Sequence, residues 1–210
     1  MTSQHPFNPL DMHNLGLSIT TAMLGTDPTP LGAVPKFQGA GLYAIYYTGQ
    51  FPAYRMISEC NTDNKFEQPI YVGKAIPKGG RKGSIIVADP EKPTRGTALS
   101  SRLNEHARSV EKATNLDITD FWCRWLVVEP IWIPLGENVL IGRTAPVWNR
   151  IVDGFGNHDP GAGRHAGEVS RWDVLHPGRA WVDKLKPRRD TDTTDHIQAD
   201  IIEYLRSRLQ

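Results

Sequence analysis

Cysteine is scarce: two in 210 residues, Cys60 and Cys123, without C-x-x-C spacing. That excludes a disulfide framework and a cysteine-based zinc site, and both thiols are expected as buried small hydrophobes. No run approaches the roughly 18 apolar residues of a bilayer-spanning helix, and the opening MTSQHPFNPLDMHNLG lacks the basic-then-apolar build of a signal peptide. A cytoplasmic protein without a membrane partner is expected. The stretch GGRKGS lacks the spacing of a Walker A loop, and no internal repeat or low-complexity segment is present.

Net charge is also small, +1 overall, but it is unevenly spread. Lys74 to Arg108 holds eight basic residues against three acidic, and Val139 to Arg189 nine against five. Locally basic stretches on a near-neutral protein can attract a polyanion at one face; taken alone, they also fit plain solvated surface.

At 210 residues the chain can hold one well-buried core, or one core with a small appendage, and its 39% hydrophobic content is that of an ordinary globular protein. Residues 1–36 read as an extension with one helix-like piece followed by the Gly- and Pro-rich GTDPTPLGAVP. Compact structure is expected over 37–150, including a basic loop at 76–96, with 151–210 forming a Gly-, Arg- and His-rich arm and a C-terminal helix. GLYAIYYT and IYVGK are rich in aromatic and β-branched residues and read as strands. TALSSRLNEHARSVEKA sets Leu99, Leu103, Ala107 and Val110 on one helical face, and Arg102 and His106 one turn apart on an adjacent face. DFWCRWLVVEPIWIP, apolar on both alternations, predicts a central strand buried on both sides and ended by Pro130 or Pro134. ENVLIGR predicts a short helix with Glu137 in its first turn. TTDHIQADIIEYLRSRL predicts a last helix on Ile197, Ile201, Ile202 and Leu205, capped by Asp195.

In order, Tyr43 and Tyr71 lie on two strands within the triplets GLY and YVG, Arg102 and His106 on a helix, Glu137 on a later helix and Asn149 after APVW. This ordered set resembles the GIY-YIG nuclease superfamily. The resemblance implies an α/β (α+β) fold with a small three-stranded antiparallel sheet flanked by helices, and metal-dependent phosphodiester hydrolysis. The wide spacing of the triplets, His106 in place of a second helix tyrosine, and GFGNHDPG with WDVLHPGRAW resemble the type II restriction endonucleases that cut the palindrome CCGCGG. That likeness implies double-stranded DNA as partner, a homodimer, a cognate DNA methyltransferase as a system partner, and a prokaryotic cytoplasm. The alternatives are a structure- or lesion-specific repair nuclease and a nucleic-acid-binding module without activity.

The chemistry fits those residue types. Phosphodiester attack needs a cation, a base and a group that meets developing charge. Glu137 suits Mg²⁺, with Mn²⁺ as possible substitute, because Mg²⁺ keeps most of its waters and takes one or two protein oxygens. Arg102 has the forked donors for the scissile phosphate. Tyr43 is expected to activate water, Tyr71 to orient it or the phosphate, His106 to relay a proton, and Asn149 to brace Glu137 or the leaving-group side. Tyrosine titrates near about 10, so Lys74 or His106 is expected to lower it. Arg81, Lys82, Arg95, Arg164, Arg171 and Arg179 are candidate DNA contacts, to phosphate or to guanine. Asn157, His158, Asp159 and His165 form a weaker candidate metal cluster. Singly, each of these residues has an ordinary role in packing or as a surface charge; their joint order is what favours a nuclease site.

Overall fold

The aromatic and β-branched run at Gly41–Tyr47 forms β2, and every residue of it is buried. In this computed structural model, which describes residues 8, 10–76, 96–157, 159, 167–188 and 191–209, β2 lies inside a four-stranded sheet ordered β1-β4-β2-β3. β1 is Thr29–Pro30, β3 is Tyr71–Ala75 and β4 is Phe121–Val127, and all pairs are antiparallel. The sheet has one strand more than the sequence predicts. The extra strand comes from the stretch before residue 37, where Thr29 and Pro30 pair with Cys123 and Trp122.

β4 is interior in strand order, as its apolar run predicts, yet only Phe121 and Cys123 are buried. β1 is short and pairs only with Trp122 and Cys123 near the beginning of β4. Further along, Trp125 stacks on Phe37 with ring centroids 5.2 Å apart.

Period-two alternation gives β2 two apolar faces. Ala44 and Tyr46 pack with Met23 and Leu140, from α1 (Met12–Leu24) and α4 (Ile133–Thr144). Tyr43, Ile45 and Tyr47 face the larger core. It is built from α3 (Ala98–Lys112), α5 (Val147–Arg150), α6 (Arg171–Leu175) and α7 (Thr194–Leu209), with the short α2 (Arg55–Asn61) at one end. In α3 the predicted stripe of Leu99, Leu103, Ala107 and Val110 is buried.

Three boundaries differ from the sequence reading. α4 begins at Ile133, so Glu137 stands in its second turn. Pro134 starts that helix rather than stopping a strand, since a first-turn amide has no helical acceptor to lose. The start of α7 is closed by Thr193, whose hydroxyl accepts from the His196 amide, and Asp195 lies inside the first turn. Within the predicted irregular arm, Phe155, Trp172 and Leu175 belong to the main core. Cys123 is buried as expected, and Cys60 is only partly so.

Four side chains from distant segments form a polar chain through this core. Asn115 donates to the Leu175 carbonyl, which turns its Oδ1 toward His176 Nδ1 at 2.9 Å. His176 Nε2 meets the Tyr54 hydroxyl at 2.7 Å, and Tyr54 accepts from Trp148 Nε1 at 2.8 Å. Each donor finds an acceptor only if His176 is neutral with its proton on Nδ1. Burial agrees, pushing the imidazole down to about 3.

A depressed histidine pKa contributes stability that is present above the unfolded value near about 6.5 and is lost as pH falls toward 3. His176→Leu is predicted to cost about 2–4 kcal/mol at pH 7.5, since it strands Tyr54 and Asn115. Urea denaturation at falling pH should show the gap between wild type and variant narrowing below pH about 6.5, by up to ~1.4 kcal/mol per unit. A gap independent of pH would refute a neutral buried His176.

Candidate active site

Tyr43 on β2 stands directly opposite Gly73 on β3. Its ring crosses the space where a residue-73 side chain would be, since a Cβ there would lie 2.3 Å from the Tyr43 hydroxyl. That gap lets the hydroxyl reach α3, where it meets His106 Nε2 at 2.6 Å. Both residues are almost fully buried, Tyr43 at 1% exposure and His106 at 2%. His106 is therefore no solvated helix face.

Tyr71 enters from the start of β3, with ring centroids 6.2 Å from Tyr43 and 5.3 Å from His106. One helical turn before His106, Arg102 donates from Nη2 to the Gly156 carbonyl at 2.8 Å and pairs with Glu105. Burial raises the Tyr43 hydroxyl well above its ordinary range, and Tyr71 adds to the rise, while Arg102 acts against it. Burial also raises Tyr71, opposed by Arg102 and helped by Glu137. Burial works against the charge on Arg102, yet Tyr43, Glu105 and Tyr71 together hold it above its ordinary value.

These directions correct the expectation of a lowered tyrosine pKa. Lys74 in particular is not placed to lower it. Opposite Leu42 in the register, it lies on the sheet face away from Tyr43, and its Nζ binds Glu137 Oε2 at 2.6 Å. Glu137 and Lys74 thus form a partly buried ion pair, with side chains 15% and 35% exposed. Glu137 offers one carboxylate, the number that a largely hydrated Mg²⁺ takes. Among the described residues, no group of three or more His, Cys, Asp or Glu is arranged to hold a metal.

Asn149 corrects another expectation. Its amide does not brace Glu137; it accepts from the Val72 amide and donates to the Val72 carbonyl, both at 2.8 Å. It thereby acts as one residue of a missing neighbour strand, closing the outer edge of β3 between Tyr71 and Gly73.

The candidate DNA contacts divide. Arg81, Lys82, Arg95 and Arg164 lie outside the described residues, as do His158 and His165 of the weaker metal cluster. Asn157 gives its carbonyl to Arg179, and Asp159 lies 3.8 Å from Lys184. Arg179 is corrected: its side chain is 2% exposed, bound to Asp173 and wedged against Trp172 and Trp181, so no base edge can reach it. Arg171 is corrected too, being held by Asp192, Asp200 and the Ile151 carbonyl.

Sequence reasoning missed Phe155. Its ring stacks on His106 at 4.5 Å and 17°, and Tyr71 meets it edge-on at 5.0 Å. The available signal was an aromatic between two glycines, Gly154-Phe155-Gly156, just after Asn149.

Asn149→Ala is predicted to leave two Val72 backbone groups without partners, at a cost of about 2–4 kcal/mol. Amide exchange at Val72 should accelerate well beyond that at Ile45 on the interior β2. Unchanged protection at Val72 would refute the edge-closing role.

Residues 35–205 match a family model described as the Eco29kI GIY-YIG domain. The match runs past the 37–150 stretch that carries the triplets and takes in Phe155, Asp173 and Arg179. Comparison with curated proteins yields no match. With the match spanning most of the chain, the protein belongs to the Eco29kI-type GIY-YIG family of restriction-endonuclease-like nucleases.

Proposed function

We propose that the protein is a type II restriction endonuclease that hydrolyses both strands of a short GC-rich palindrome, CCGCGG, with Mg²⁺ or Mn²⁺. The observation that carries this reading is the buried hydrogen bond between the Tyr43 hydroxyl and His106 Nε2 at 2.6 Å, beside Tyr71 and Arg102. A phenol whose pKa is raised cannot wait as phenolate near neutral pH. It can act as base only if it passes its own proton on while it receives another, and His106 Nε2 is placed to take that proton. Water then loses a proton to the Tyr43 oxygen as Tyr43 releases one to His106; the new hydroxide attacks phosphorus as the bond from phosphorus to the leaving ester oxygen breaks, and that oxygen departs and takes a proton from solvent. Tyr71 orients the water or phosphate. Arg102, tethered at Gly156, meets charge on the phosphate with its guanidinium.

Glu137 would hold the divalent ion, with Lys74 orienting the carboxylate. When bound, the ion supplies a positive charge against the charge that develops on phosphate oxygens. Asn149 acts by fixing β3, which carries Tyr71 and Lys74.

One such site cuts one strand, so two copies on a twofold axis match a palindrome most simply. A cognate methyltransferase would protect the same sequence in the host.

Incubation with plasmid and Mg²⁺ tests the reading. Discrete fragments with ends in CCGCGG and two chains per duplex by light scattering are expected, with cleavage abolished by chelation. Nicking confined to distorted DNA would replace it with a repair nuclease, and absence of cutting with a binding module. Glu137→Ala should eliminate cleavage. Tyr43→Phe should slow single-turnover cleavage about 10²–10⁴-fold. Adding His106→Ala to Tyr43→Phe should cost little more, because the two groups act as one relay. Full activity in Tyr43→Phe would remove Tyr43 as base.

A further inference from the structure

The loop that carries Phe155 and Gly156 is held from behind by a single guanidinium. Arg179 Nε donates to Asp173 Oδ1 and Nη2 to Asp173 Oδ2, each at 2.6 Å. Nη1 donates to the Phe155 carbonyl at 3.2 Å and to the Asn157 carbonyl at 3.1 Å, and Nη2 donates to the Gly154 carbonyl at 3.0 Å. All five N–H groups of the fork are thereby engaged. Trp172 and Trp181 lie within 4.5 and 4.9 Å of the guanidinium carbon, and Ser170 donates to Asp173 Oδ2 at 2.6 Å. Gly154 has φ +103°, and a Cβ there would strike Ser170 Oγ, so the loop is seated tightly on this support.

Three of the four carbonyls from 154 to 157 turn to Arg179. The fourth, of Gly156, accepts from Arg102 Nη2. Phe155, between two of the gripped carbonyls, stacks on His106. Arg102 and His106 thus each rest on a loop whose conformation Arg179 imposes.

We propose that Asp173 and Arg179 are positioning residues that set Arg102 and His106 for the reaction through the 154–157 loop. The link to reaction rests on the nuclease reading above; the link to His106 does not. Lysine cannot replace the arginine, because three donors on a single nitrogen cannot span a carboxylate and three carbonyls.

The experiment compares wild type, Arg179→Lys, Arg179→Met and, as a stability control in α7, Ile201→Val. Single-turnover cleavage at saturating protein, DNA affinity, thermal midpoint and the His106 imidazole proton shifts are measured below every midpoint. Cleavage by Arg179→Lys and Arg179→Met should fall about 100-fold, while DNA affinity changes less than about threefold. Ile201→Val should cleave at the wild-type rate. The His106 ring protons should move in both Arg179 variants as the Phe155 stack is lost, and stay in place in the control. Wild-type cleavage by folded Arg179→Lys, or unmoved His106 shifts, would overturn the proposal. A wild type that cuts no DNA but whose His106 shifts respond to Arg179→Lys would overturn the nuclease reading and uphold the positioning. If neither Arg179 variant folds, Phe155→Leu removes the stack alone: moved shifts with slowed cleavage support the proposal, and wild-type cleavage overturns it.

Discussion

A side chain on a sheet reaches a helix packed above it only where its neighbours leave room, and here the room is made by Gly73. Because position 73 has no Cβ, the Tyr43 ring can lie across β3 and bring its hydroxyl to His106. The other contacts of the site are arranged around that crossing. Tyr71 enters two residues earlier on the same strand, Asn149 fastens the strand at Val72 between them, and α3 places Arg102 one turn from His106. The glycine and the tyrosine of the two triplets form one cross-strand pair, the small member making space for the large one.

Two tyrosine–histidine bonds lie in the same core, and their difference is instructive. Tyr54 meets His176 at 2.7 Å and Tyr43 meets His106 at 2.6 Å, both away from solvent. Tyr54 already accepts from Trp148, and His176 is fixed on its other side by Asn115. That chain is complete at both ends and has nowhere to send or receive a proton. Around Tyr43 the neighbours are a second phenol and a guanidinium, groups that respond to charge on its oxygen. Geometry alone does not tell a structural pair from a reactive one; the groups on the far side of each atom do.

The parts of this arrangement visible in sequence are those set by local periodicity. The α3 stripe, the two triplet strands and the Ile197, Ile201, Leu205 face of α7 arise from side chains repeating at helical or strand spacing. Contacts between segments far apart in the chain were not visible. Asn149 binding Val72, Lys74 binding Glu137, and Arg179 gripping 154–157 span 77, 63 and up to 25 positions, and no short window contains both partners. Arginine count misled for the same reason: a guanidinium is basic in a charge tally whether it faces DNA, fills a core as Arg179 does, or is held by carboxylates as Arg171 is by Asp192 and Asp200. Pro134 misled because the same residue can stop a strand or start a helix, according to the run on its C-terminal side. Before a helical run it is an initiator.

The grip of Arg179 on the 154–157 loop also sets how much of the chain the site needs. A nascent chain that has emerged only as far as residue 150 contains Tyr43, Tyr71, Arg102, His106, Glu137 and Asn149. It lacks Phe155 and Gly156, as well as the arginine that holds them, and α7, which covers the same core, comes last. The completed site therefore needs contacts between segments on both sides of residue 150, such as Arg102 with Gly156 across 54 positions. In this topology the groups nearest the chemistry precede, along the chain, the loop and the arginine that hold two of them in place.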